Sequence, residues 1–283
     1  MAETKIEPIP FSLSTLQASF LTPTILHVEL NRPKSLNAMN KQMFSEIKKL
    51  FTYLNTHPLV RVVILTASGK IFSAGLDLKE AITIFAFDDQ LDQARKSMQF
   101  YNQLKEFQES LSSLVKLRVP VLIGIHGHCV GGALNLITGG DVRFCTEDSK
   151  FSLKEIDIGI VADIGAFPRL PLIMGNESFV REMAFTGRAI SADEALKFGL
   201  VSKVFKTKED LLSGLKNIAE EISSKSPVAI YAIKKVMNKT KFGNMEDVLE
   251  YVALMNMSMT FTNDVSEAIT ANLSKGKAIF SKL

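Results

Sequence analysis

The chain has 283 residues, 46% apolar and 22% charged, the balance of an ordinary globular protein with one large core or a core plus a smaller appendage. A formal charge of +3, with no long basic run, argues against a nucleic-acid partner. Two cysteines, Cys129 and Cys145, and four histidines show no zinc spacing, so no metal and a reducing compartment are expected.

No apolar run approaches the length of a membrane span, and MAETKIEPIPFS at the start lacks the basic region and apolar stretch of a secretory signal. Residues 24–30, TILHVEL, alternate and are rich in β-branched side chains, which predicts a strand. NRPKSLNAMN (31–40) reads as a loop, with Asn40 placed to cap a helix over 43–54. RVVILTA (61–67) is a continuous apolar run, expected of a strand covered on both faces. SGKIFSAGLDL (68–78) follows as a glycine-punctuated loop, and a long helix is predicted from about Gln90 to Val115, ending before Pro120. VPVLIGIHG (119–127) reads as the next strand, with His126 and His128 as polar residues at a strand end, and HCVGGALNLIT (128–138) as a turn entering a helix.

DVRFCT (141–146) and KFSL (150–153) read as short strands. Helices are predicted over 177–187 and 191–200, the second with Ser191 and Glu194 in a capping box and Gly199 as its stop. VSKVF (201–205) is a short strand, and helices dominate from Thr207, with Pro227 at a helix start. Alternating strands and helices followed by helices alone predict an α/β core over 1–205 and a helical region over 206–283.

Two features concentrate chemistry. SAGLD (73–77) and VGGA (130–133) each follow a strand and precede a helix, where main-chain N–H groups can approach a ligand and stabilise negative charge on oxygen. Neither matches a dinucleotide or nucleotide-phosphate loop. KEIDIGIVADIG (154–165) sets Glu155, Asp157 and Asp163 among Ile, Val, Ala and Gly. Carboxyls in such surroundings hold their protons tightly enough for acid–base work near neutral pH. Asp157 reads as structural, capping or paired with a basic residue; for Asp163, capping a following helix is the alternative.

In order, LNRPKSLNAM, FSAGLDLKE, HGHCVGGALNL, FSLKEIDIGI, RL and ISADEALKFGLVSKV resemble the enoyl-CoA hydratase/isomerase (crotonase) superfamily from about Ile25 to the C-terminus. The resemblance implies a ββα-spiral core, a C-terminal helical trimerisation region, homotrimers or homohexamers, acyl-CoA thioester substrates, and no cofactor beyond the coenzyme A of the substrate. It places the oxyanion-hole amides on Ala74 and Gly132 and the coenzyme A segment on Ser73, Ala74, Gly75, Leu76, Asp77 and Leu78, with Lys34 nearby. Lys275 and Lys277 either meet its phosphates or form a solvated tail. Hydratases carry a second glutamate where this chain has Asn135, and an amide cannot take a proton from water.

Asp163, eight residues after Glu155, is similar to the pattern of the 3,5–2,4-dienoyl-CoA isomerases of fatty acid β-oxidation. There the aspartate takes a proton from C2 and the glutamate returns one at C6. Asn135 departs from that group's third acid and is placed to hydrogen-bond a neighbouring carboxyl. The alternatives are a 3,2-enoyl-CoA isomerase using Glu155 alone and a non-catalytic binding member of the superfamily. Phe-rich residues 80–110, with Phe85, Phe87 and Phe100, are expected along the acyl tunnel. Ser281, Lys282 and Leu283 form the tripeptide read by the peroxisomal import receptor, so the peroxisomal matrix is the expected compartment.

Overall fold

A computed structural model describes residues 8–80, 90–241, 243–260 and 262–282. Phe85, Phe87 and Leu283 lie outside the described residues. The strands are β1 (Leu16–Thr22), β2 (Ile25–Leu30), β3 (Val62–Ala67), β4 (Val121–Ile125), β5 (His128–Val130), β6 (Val142–Thr146), β7 (Lys150–Ser152), β8 (Ile190–Ser191) and β9 (Lys203–Phe205). One sheet runs β1-β2-β3-β4-β6-β9, antiparallel at β1–β2 and parallel elsewhere; a smaller one runs β5-β7-β8.

The two sheets are successive layers of one winding chain. β4 steps into β5 and β6 into β7, so each long strand hands over to a short strand in the second layer. Isolated bridges from Ser73 to Cys129 and from Met39 to Leu76 carry that layer back over the loops after β3 and β2. The repeated step is the spiral that the resemblance implies.

β3 is buried throughout, as its apolar run predicts: Val63 and Leu65 face the larger core, Val62 and Ile64 the smaller. α1 (Lys41–Leu54), capped by the Asn40 side chain on Met43 N, and α2 (Gln93–Lys116) pack together over the larger core. α3 (Gly132–Ile137) is wholly buried, and α4 (Ala166–Met174) and α5 (Glu177–Thr186) follow the acidic segment. α6 (Ala192–Lys197) opens on the expected Ser191–Glu194 capping box.

α7 (Lys208–Ser223) covers the other face of the sheet through Leu211, Leu215 and Ala219. The expected boundary at 205/206 therefore cuts off a helix that belongs to the packing of the core. α8 (Pro227–Thr240), α9 (Met245–Met259) and α10 (Asn263–Leu273) complete the helical region. Lys234 of α8 is buried and donates to Asp141 Oδ2 at 2.7 Å and to the carbonyls of Leu114 and Val119, fastening that region to the core.

Two elements depart from the sequence reading. β1 is an edge strand with alternate residues half exposed, and LQASFLT carries too little apolar periodicity to declare itself. The acidic segment is a 3-10 turn over Glu155–Ile158, so Glu155 and Asp157 are not related by strand alternation.

Candidate active site

The turns after β3 and β4 are stitched together by main-chain bonds, Ser73 N to His128 O and Val130 N to Ser73 O. Gly75 has φ +88°, and a Cβ there would stand 2.6 Å from Val130 O, so only glycine allows the approach. A Cβ on Gly132 would stand 3.6 Å from Leu76 N. The amides of Leu76 and Gly132 are thus neighbours, and among the described residues neither has a hydrogen-bond acceptor.

This corrects the placing of an oxyanion amide on Ala74. Its N–H donates to Leu36 O at 2.9 Å and is committed to holding the loop. The extended chain alternates the direction of its amides, and the Met39–Leu76 bridge leaves the Leu76 N–H as the unengaged one.

Beside the two amides lies an apolar cavity of about 300 Å³. Its walls include Phe44, Leu78, Phe100, Leu104 and Phe107, and both Glu155 and Asp163 border it. The rings of Phe44 and Phe107 stack at 4.4 Å, closing one wall between α1 and α2. Gln103 also lines the cavity, with its Nε2 shielded from water and unpartnered.

Both carboxyls are half-buried. Loss of water lifts the Glu155 pKa above its ordinary value, with the Asp163 charge adding to the rise, while hydrogen bonds from its own N–H and from Asn135 oppose it. Burial also raises Asp163, opposed by its own N–H. Gln108 of α2 donates to the Asp163 carbonyl at 2.8 Å and anchors that stretch of chain. Asp163 is not a helix cap: α4 has Gly165 at that position and no side-chain cap bond.

Other expected site residues serve the scaffold. Ser73 is fully buried, its hydroxyl donating to Asn37 O and accepting from Gly75 N, and it does not border the cavity. Asp77 is buried against Arg32 at 2.9 Å and also lies off the cavity wall. Asn135 is fully buried, does not border the cavity, and donates to Glu155 Oε1 at 2.9 Å. Lys34, Lys275 and Lys277 are exposed and do not border the cavity. Asp157 pairs with Lys154 at 2.8 Å, as expected.

Sequence reasoning missed Gln103 and Gln108, and it placed Leu76 in the coenzyme A segment without singling out its amide. Gln103 and Gln108 lie on the helix that carries Phe100, Leu104 and Phe107, and nothing in a lone glutamine distinguishes a surface position from a buried one. Among the described residues, no cluster of His, Cys, Asp or Glu could hold a metal ion.

Similarity to known proteins identifies the family. The family model for enoyl-CoA hydratase/isomerase matches residues 22–282. The peroxisomal Δ(3,5)-Δ(2,4)-dienoyl-CoA isomerase of Arabidopsis thaliana is 40% identical over 261 residues, 92% of this chain and 94% of that one. The mitochondrial enzyme of the same name from Homo sapiens is 38% identical over 275 residues, 96% of this chain and 84% of that one. Among solved structures, an enoyl-CoA hydratase from Bacillus anthracis superposes with a TM-score of 0.85 at 26% identity, covering 95% of this chain and 99% of that one. The chain belongs to the enoyl-CoA hydratase/isomerase family.

Proposed function

We propose that this protein is a Δ3,5–Δ2,4-dienoyl-CoA isomerase, moving two double bonds of an acyl-CoA thioester into conjugation with its carbonyl. The observation that carries the reading is the pair of half-buried carboxyls, Glu155 and Asp163, on one apolar cavity beside two unengaged main-chain amides. The 38–40% identical relatives of that name support it. The thioester oxygen accepts from the Leu76 and Gly132 N–H groups, which stabilise it as it becomes an enolate. Asp163, ionised, removes a proton from C2; the charge spreads along the dienolate, and Glu155, protonated, delivers one at C6. The reaction needs no cofactor beyond the coenzyme A of the substrate.

A 3,2-enoyl-CoA isomerase would need only Glu155. The lining position of Asp163, raised in pKa by burial and free of any capping duty, favours the two-carboxyl reaction. Conversion of a 3,5-dienoyl-CoA yields a conjugated product with new absorbance, so the assay is direct. Asp163→Asn and Glu155→Gln should each lower turnover by about 10²–10⁴-fold with the fold retained. Full activity in Asp163→Asn would leave the single-carboxyl isomerase, and no thioester-dependent activity in the wild type would leave a binding protein.

The family resemblance also supports assembly into trimers or pairs of trimers through the C-terminal helices. For the compartment, the peroxisomal matrix is our reading, on Ser281-Lys282-Leu283 and the peroxisomal relative; the mitochondrial relatives mark the competing location.

A further inference from the structure

Arg61 stands immediately before β3, at the end of the strand opposite the turn that carries the site. Its half-buried guanidinium donates to three main-chain carbonyls. Nη1 reaches Ser223 O, at the end of α7, at 3.0 Å; Nη2 reaches Phe280 O at 2.8 Å and Ser281 O at 3.1 Å. Hydrogen bonds from a cation are stronger than those between neutral groups.

The chain that these bonds hold has no helix or strand of its own over 276–282. Upstream, the Ile279 N–H donates to Glu267 Oε1 at 3.3 Å. Phe280 is half-buried, while Ile279, Ser281 and Lys282 are exposed. The arm is thus fastened by its main chain and leaves most of its side chains in water.

Fastening of this kind matters for a signal carried on the arm. A receptor that reads a terminal tripeptide must take its main chain, carboxylate included, as well as its side chains. Ser281 is the first of the three residues, and Arg61 occupies its carbonyl. Beyond that carbonyl only Lys282 and Leu283 follow, a reach of about 7 Å at full extension. A receptor pocket deep enough for three residues meets the body of the protein before it closes on Ser281.

We propose that Arg61 masks the import tripeptide, so that the receptor binds only chains in which Phe280 O and Ser281 O have left the guanidinium. The inference rests on the peroxisomal reading of Ser281, Lys282 and Leu283. The partner that fits is a receptor that takes the last three residues extended and supplies donors to their carbonyls in place of Arg61. Its apparent affinity for the folded chain is reduced by the released fraction. Two such bonds at a half-exposed position set that fraction at about one tenth. The length of β3, about 20 Å, separates Arg61 from the turn beyond it, so release leaves the chemistry untouched.

The test measures binding of the import receptor's peptide-binding domain to four ligands. They are the intact wild type, Arg61→Ala, a chain with Gly-Ser-Gly-Ser inserted between Phe280 and Ser281, and a synthetic peptide of residues 274–283. The peptide and both altered chains should bind about tenfold more tightly than wild type, and both altered chains should keep wild-type kcat and KM. The insertion retains Arg61 and its bond to Phe280 O, so it decides the matter should Arg61→Ala not fold. Wild type that binds as tightly as the peptide overturns the proposal, and so do altered chains that bind no better than wild type. A peptide without affinity for the receptor overturns the peroxisomal reading itself, and the mask with it.

Discussion

A carboxyl stripped of water prefers to stay protonated, and this governs Glu155 and Asp163 in two ways. In the proposed reaction Asp163 works ionised and Glu155 protonated, so kcat/KM should fall as pH drops through the Asp163 value and again as it rises through that of Glu155. With both values raised, the bell should lie above the range of exposed carboxylates, which a pH–rate profile will show. In stability, a group whose folded pKa exceeds its unfolded one favours the fold while protonated and opposes it once ionised. Stability contributed at Glu155 is therefore lost as pH rises through its folded value. Glu155→Gln, which is never charged, should raise Tm at about pH 8, with the gain shrinking towards about pH 4. A calorimetric Tm below wild type at the higher pH would contradict this.

At the scale of elements, the site is two turns brought within bonding distance by the layered winding of β3, β4 and β5. Gly132 differs from Gly75 in that a methyl on it would meet only ordinary contacts: Leu76 N, Met39 Sδ and Ile164 Cδ1, at 3.6–3.9 Å. Gly132→Ala should therefore fold with an unchanged Tm. The methyl nevertheless occupies the approach to the Leu76 N–H, where the proposed reaction seats the thioester oxygen. Loss of one donor of such a pair costs about 10²-fold in kcat/KM, and steady-state assays should find a loss of that order. A fully active Gly132→Ala would place the carbonyl elsewhere. The Ala74 correction belongs to this scale as well: the sequence pointed to the right loop, but which of two nearby N–H groups stays unengaged depends on the bond from Ala74 to Leu36 O.

For the whole molecule, the helical region leaves large apolar side chains uncovered in a single chain. Met237 on α8, Met245, Leu249 and Met257 on α9 and Leu273 on α10 are all exposed. Burying such side chains is worth about 1.5–3 kcal/mol each, a strong drive for association through these helices. Light scattering on the purified protein should return the mass of a trimer or hexamer of 31.3 kDa chains, and a monomer at micromolar concentration would refute assembly through this face. Arg61 holds the carbonyls of Phe280 and Ser281, at 2.8 and 3.1 Å, so the tail leaves the fold beside the end of α7. An N-terminal fluorescent fusion should reach peroxisomes and lose that location when residues 281–283 are removed; mitochondrial signal from the intact fusion would refute the peroxisomal reading.

The chain's own letters determined the α/β alternation, the buried run of β3, the caps at Asn40 and Ser191, and the placing of Glu155 and Asp163 in apolar surroundings. These follow from local periodicity, capping chemistry and the cost of burying charge, which neighbouring residues suffice to express. Tertiary structure alone decided that α7 belongs to the core, that β1 is an edge strand, that Leu76 rather than Ala74 presents a free amide, and that Asn135 reaches both Glu155 and Ala166. Each of these depends on what a group meets across the fold, and a hydrogen bond between residues 20 or 31 positions apart leaves no periodic trace in the sequence.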